Sequence, residues 1–259
     1  MGKTALVLSA GGSFGAYQVG VWRELEKFLT PDMVIGTSIG SIHAWCIAGG
    51  ATASDLEELW MDPSRAPQFR LRMPRSWRHG VFDERPMERQ IQDLYGRFAP
   101  SRPVGIVCTS VRGLRQTLFR NQEITWQHIA GSCAIPGVLN LRQLNGVTYA
   151  DGGLFDSINA WAAVEMGATR IVAVNAWRPR RFAALDVPLG WLADRRRRRV
   201  ARGREEEEGV PVQWELIEPE GDLGTLRDSL KWTPELVRKL IAQGAADVVR
   251  KKQKLYAMF

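Results

Sequence analysis

A chain of 259 residues with 45% apolar and 24% charged side chains is long and apolar enough to bury an α/β core, which excludes wholesale disorder. Its formal charge of +7 permits contact with anionic membranes or nucleic acid without choosing between them. The three cysteines, Cys46, Cys108 and Cys133, stand alone, with no C-x-x-C pair and no metal-ligand spacing, so they read as buried thiols of a reducing compartment.

Thr4–Ser9 is predicted as a first strand, because Ala5 to Leu8 are all apolar, as a strand covered on both faces requires. Ala10–Gly15 is a glycine-rich turn, and Ala16–Leu29 a helix whose apolar face carries Val19, Trp22, Leu25 and Phe28. Met33–Thr37 is the second strand, and Ser41–Ala48 a second helix. Between these two lies Gly36-Thr37-Ser38-Ile39-Gly40, a G-x-S-x-G sequence. In a strand–turn–helix context this spacing makes a nucleophile elbow: Gly36 and Gly40 let strand and helix approach, and Ser38 sits in a strained turn at a helix N-terminus. An ordinary glycine turn is the plainer reading of that motif alone. Residues 33–54 carry no Asp, Glu, Lys or Arg. Their glycines, hydroxyls and His43 favour a buried strand–turn–helix over a membrane span. The start of the chain shows no signal peptide, its apolar run being too short.

The first glycine turn has two readings. Ala10-x-Gly12-x-x-Gly15 is a degenerate dinucleotide fingerprint, but the acid expected at the end of the second strand is missing. The other reading is an oxyanion hole, in which the N–H groups of Gly11, Gly12 and Ser13 face a carbonyl oxygen that becomes negative. The neighbouring Ser38 favours the second.

Ser54 is expected to cap a helix running through Trp60. Arg65–Arg85 is irregular and basic, with Arg70, Arg72, Arg75 and Arg78 interleaved with Leu71, Met73 and Trp77. It reads either as a solvated loop or as a lid or interfacial segment meeting lipid phosphates. Further predicted elements are a helix over 85–98, strands over 104–110 and 115–120, and a helix over 123–134. A hairpin around Asn145-Gly146 follows, then a helix over 158–167 and strands over 170–176 and 212–217. Residues 178–209 hold five consecutive arginines, Arg195–Arg199, and four glutamates, Glu205–Glu208, a pattern of solvated helices or mobile segments. No aromatics interleave with these arginines, so nucleic acid is not an expected partner. Thr233-Pro234-Glu235 opens a last helix over about 233–255. No repeat or linker divides the chain, so one domain over 1–259 is expected.

A serine needs a base to take its proton. His43, His79 and His128 are the only histidines, none follows Asp151, and His43 is too near Ser38 on the elbow helix to reach back. All three read as structural or surface residues. Asp151 is the better base, because a strand-like run precedes it and Gly152-Gly153 lets its backbone approach another loop. Alone, Asp-Gly-Gly is an ordinary turn.

Three blocks in order carry a family resemblance: Leu6–Gly20 with its glycines, Gly36–Gly40, and Ser132-Cys133-Ala134-Ile135-Pro136 followed by Tyr149–Gly153. Together they resemble the patatin-like phospholipases. The resemblance implies a three-layer α/β/α fold with a mostly parallel sheet, motifs within residues 4–176, and a Ser38–Asp151 dyad that works without histidine. It also implies a lipid or acyl-ester substrate. No ligand cluster calls for a metal or cofactor, and the isolated cysteines and net positive charge fit a cytoplasmic protein able to sit peripherally at an anionic membrane. The family's oxyanion block has three glycines and then a basic residue, where this chain has Ala10 and Phe14. That difference points to less charged esters, or to a weakened lipid-binding or scaffold protein; acyl transfer on the same fold is a further alternative.

Overall fold

The computed structural model describes residues 2–66, 70–177, 211–225 and 227–259. Eight strands form one sheet: β1 (Lys3–Leu8), β2 (Met33–Thr37), β3 (Val104–Ser110), β4 (Arg115–Arg120), β5 (Arg142–Leu144), β6 (Val147–Asp151), β7 (Ala168–Val174) and β8 (Gln213–Ile217). Seven described helices accompany them: α1 (Gly15–Leu25), α2 (Ile39–Ala48), α3 (Ala53–Met61), α4 (Arg85–Arg97), α5 (Trp126–Ser132), α6 (Trp161–Glu165) and α7 (Pro234–Tyr256). The Arg195–Arg199 and Glu205–Glu208 runs lie outside the described residues.

The sheet order is β5-β6-β3-β2-β1-β7-β8, with β4 also paired to β3. The run β3-β2-β1-β7-β8 is parallel, while β4, β5 and β6 pair antiparallel. Strand side chains alternate with period two. Leu6, Leu8, Val34, Ile106 and Val172 join one buried cluster with residues of α1, α2, α4, α5 and α7. Ala5, Val7, Ile35, Val107 and Ile171 join a second cluster on the opposite face with Trp161 to Val164 of α6. The continuous apolar runs of β1 and β2 are therefore two interleaved stripes, one for each helical layer.

Several boundaries differ from the sequence-based expectation. Helix α1 ends at Leu25, four residues early, and closes through turns in which Leu29 N–H still donates to Leu25 O. Thr52, not Ser54, caps α3, because Thr52 and Asp55 form a reciprocal capping box that starts the helix two residues sooner. The helix expected over 158–167 shrinks to Trp161–Glu165. Asn159, at φ 53°, interrupts it, its side chain being occupied by a neighbouring turn.

One detail of the sheet positions the site. Strand β3 has β4 along one edge, pairing Gly105 to Ser110. Its other edge is shared end to end: β2 covers Val104 to Val107, and β6 covers Cys108 to Ser110 from the opposite direction. Thr37 is paired with Val107 and Asp151 with Cys108. The last residues of β2 and β6 therefore converge at one point on β3.

Candidate active site

The elbow follows directly from the end of β2. Ser38 adopts φ 54°, ψ −126°, a region a residue with a Cβ rarely enters. A Cβ on Gly36 would strike Gly40 O, and one on Gly40 would strike the carbonyl of Leu8 and lie 2.6 Å from that of Ser9. Only glycine fits at either position. Ser38 O accepts from the N–H and hydroxyl of Ser41, at 2.8 and 2.6 Å, which ties the turn to the first residues of α2. The Ser38 side chain does not cap α2.

That hydroxyl instead donates to Asp151 Oδ2 at 2.6 Å. Asp151 Oδ1 accepts from Gly153 N–H at 2.7 Å. The carboxyl is buried, and burial pushes its pKa up to about 6, against the lowering effect of the bonds from Ser38 and Gly153. A Cβ on Gly152 would strike Val107 O, so this turn too requires glycine to lie against β3.

Two residues that sequence reasoning assigned no role hold the junction. Ser132 Oγ, fully buried at the end of α5, accepts from Ser38 N–H at 2.8 Å and donates to Val107 O at 2.7 Å. Asn159 Nδ2 reaches Thr37 Oγ1, Gly152 O and Asp156 O, at 3.1, 3.0 and 2.7 Å. Trp161 Nε1 donates to Asn159 Oδ1, which fixes the amide's orientation. Ser132 lay in a motif block but carried no chemical signal of its own. Nothing in the spacing of Asn159 distinguished it from a loop residue.

The glycine turn lies beside the elbow. Gly12 takes φ 54° and begins a short 3-10 turn, Gly12–Phe14, that leads into α1. The amides of Gly11, Gly12 and Ser13 have no acceptor among the described residues. Gln18 Nε2 donates to Ser9 O, and Ser9 Oγ accepts from Ala176 N–H, so the turn is braced from α1 and from the segment after β7. Phe14 is fully buried and packs near Trp177, with ring centroids 6.5 Å apart. It is a core side chain, where the resemblance implies a cation.

Gly12, Ser13 and Ser38 line a cavity of about 210 Å³, of which Gly11 is not a lining residue. Its other walls are chiefly apolar, from Ile39 and Ile42 of α2, Leu56 and Trp60 of α3, and Ile91 and Leu94 of α4. The helical spacing of these residues was visible in the sequence, but spacing does not separate a core stripe from a cavity wall. Cys46 and Cys133 also border the cavity; burial pushes both thiols up to about 12, leaving them un-ionised at neutral pH.

His43 faces this cavity as well. Trp60 Nε1 donates to its Nε2, so Nδ1 carries the proton and donates to Gln18 Oε1, both at 2.8 Å. Burial lowers its pKa to about 3, and its two nitrogens are committed away from Ser38. His128 bonds Thr125, and His79 bonds Ser76. Among the described residues no group of three or more His, Cys, Asp or Glu is placed to hold a metal ion, and no helix is long and apolar enough to cross a membrane.

Comparison with known proteins bears on the family and the fold. The family model described as patatin-like phospholipase matches residues 6–164. A lysophospholipase NTE1 of Mycosarcoma maydis is 30% identical over 211 residues, 72% of this chain and 10% of that protein. A triacylglycerol lipase SDP1L of Arabidopsis thaliana is 27% identical over 164 residues, 55% of this chain and 20% of that protein. The chain thus spans about a tenth to a fifth of the length of these curated relatives. In fold, the chain resembles the crystal structure of VipD from Legionella pneumophila, with a TM-score of 0.54 at 14% identity, over 96% of this chain and 66% of that one.

Proposed function

The chain belongs to the patatin-like phospholipase family, and on that premise we propose that it is a serine lipid acyl hydrolase acting through a Ser38–Asp151 dyad. The observation that carries the reading is the 2.6 Å hydrogen bond from Ser38 to a buried carboxylate beside an apolar cavity. Ser38 Oγ attacks the ester carbonyl carbon while its proton passes to Asp151 Oδ2. The carbonyl oxygen becomes an oxyanion and accepts from the amides of the glycine turn, Gly12 and Ser13 foremost and Gly11 behind them. Collapse breaks the ester C–O bond, and Asp151 returns the proton to the departing alcohol. Water then attacks the acyl-enzyme, giving a proton to Asp151 that ends on Ser38 as the fatty acid leaves.

An unperturbed aspartate, with a pKa of ~4, is a weak base at neutral pH. Raised to about 6, Asp151 is still ionised at pH 7.5 but is a better proton acceptor. The apolar cavity suits an acyl chain, and the buried Phe14 leaves no cation at that position of the glycine turn. Together they favour acyl esters of low negative charge, and the formal charge of +7 suits a protein that sits peripherally at an anionic lipid surface. The alternative, a lipid-binding or scaffold protein with a weakened site, draws on Ala10 and Phe14.

A fluorophosphonate probe separates the two readings. Labelling of the wild type, lost in Ser38→Ala together with p-nitrophenyl ester hydrolysis, is the expected result. A wild type that takes no label and hydrolyses no ester across a lipid panel leaves only the binding reading.

A further inference from the structure

The segment from Arg70 to Asp83 is a hairpin with an unusual distribution of side chains. Its stem is closed by backbone bonds, Arg72 N–H to Val81 O and Asp83 N–H to Arg70 O, both 2.8 Å, with Leu71 bridged to Phe82. The stem is fastened to the body, because Val81 and Phe82 donate to the carbonyls of Gly137 and Val138. Hairpins normally turn apolar side chains inward and charges outward. Here the guanidinium of Arg72 turns inward, bonding Asn140 Oδ1 and Gly80 O, and Asn140 is itself held by the buried carboxylate of Glu84. Leu71, Met73 and Trp77 turn outward, 78%, 87% and 70% exposed, the three most exposed large apolar side chains among the described residues.

Such an arrangement exposes apolar area that water opposes, and the polar anchor beneath keeps it from folding in. The free charge it presents is cationic. Residues 70–83 contain four arginines and one acid, Asp83, whose carboxylate is paired with Arg85, and Arg70 and Arg75 are exposed. Cations beside an exposed tryptophan and aliphatic side chains match a surface of lipid phosphates over an acyl boundary. The stem also adjoins the cavity, since its own Asp83, Glu84 and Pro86 just beyond it, and Val138 against which it pairs, are lining residues.

We propose that the Arg70–Asp83 hairpin is the membrane-docking surface of this protein, with an anionic bilayer as its partner. Leu71, Met73 and Trp77 enter the headgroup boundary, Arg70 and Arg75 meet lipid phosphates, and the cavity mouth is brought to the lipid surface. The proposal rests on the lipid-substrate reading above, but docking requires no turnover, so the two can fail separately.

The test is flotation of the full chain carrying Ser38→Ala with vesicles of phosphatidylcholine, with or without about 30% phosphatidylserine. Binding is expected to be strong only with phosphatidylserine and to weaken with salt. Adding Leu71→Ser, Met73→Ser and Trp77→Ser should lower partition about tenfold or more, and Arg70→Ala with Arg75→Ala should do so on the anionic vesicles alone. In a chain with Ser38 intact, the three serine substitutions should leave thermal unfolding and hydrolysis of a water-soluble ester as in wild type, while cutting hydrolysis of lipid in vesicles. Undiminished binding by the substituted chain, indifference to phosphatidylserine, or a dimer by light scattering that these substitutions split would each overturn the proposal.

Discussion

Ser38 and Asp151 stand 2.6 Å apart, yet the chain brings them there by different means. The elbow is a local object: β2, the turn and α2 occupy residues 33–48 without interruption, and both glycine requirements act within the motif or against the adjacent β1. The Asp151 turn is assembled from a distance. It depends on β6 abutting β2 along one edge of β3, on Ala134 O accepting from Asp151 N–H, and on Asn159 spanning Thr37 and Gly152. A nucleophile can be written into five residues, whereas its partner needs half the sheet.

The remote partner can be removed while the local one is left intact. Asp151→Asn keeps the shape and an acceptor for Gly153 N–H but takes no proton. Esterase kcat/KM should fall by about 10³–10⁴-fold, as when a serine nucleophile loses the group that serves it. A loss below tenfold would mean that Ser38 finds its base elsewhere. The converse damage is to the elbow itself. Gly40→Ala drives a Cβ into the backbone carbonyls of Leu8 and Ser9, which cannot swing away as a side chain would. Urea unfolding should register a loss of about 3 kcal/mol or more, and unchanged stability would show that the turn does not need its glycine.

What could be read in advance follows the same division. Strands β1, β2 and β3 and the elbow were legible because apolar runs, glycine spacing and alternation are local signals. The parallel order of the inner strands followed from the strand–helix repeat. The end-to-end sharing of β3 by β2 and β6 was not legible, since no local pattern states which edge a hairpin strand will join. Asn159 and Ser132 were missed for a related reason: their value lies in acceptors more than twenty residues away, Thr37 and Val107. The helix expected over 158–167 failed because the side-chain bonds of Asn159 override propensity there.

Burying the base carries a cost that depends on pH. The pKa of Asp151 is raised on folding from 3.8 to about 6. The folded state therefore favours the protonated carboxyl; that stabilisation is complete below the unfolded value and is lost as pH rises through about 6. At pH 7.5 the ionised group destabilises the fold by on the order of 2–3 kcal/mol. Asp151→Asn should therefore melt several degrees higher than wild type at pH 7.5, and the gain should vanish near pH 4. Over the same interval wild-type kcat/KM should rise with pH through about 6, because the form that costs stability is the form that accepts the proton. A melting difference that ignores pH would detach the carboxylate from both effects.

The smallest expected effect is the most discriminating, because it falls on the seam between the two regions. Ser132 contacts neither a substrate carbonyl nor the proton in transit; its hydroxyl bridges Ser38 N–H and Val107 O. Ser132→Ala strands a buried N–H at the residue whose backbone is already strained, a loss of about 1–3 kcal/mol. If that bridge only supports the fold, the loss will appear in urea unfolding and leave turnover alone. If it sets the angle at which Ser38 meets Asp151, kcat should fall about ten- to a hundredfold at nearly constant KM, and Ser132→Thr, which restores a hydroxyl, should recover most of it. The pH profile should keep its midpoint near 6, since the base is untouched. A kcat unchanged in the alanine variant would mean that the elbow holds its serine without help from α5, and that the local region is more self-sufficient than its hydrogen bonds suggest.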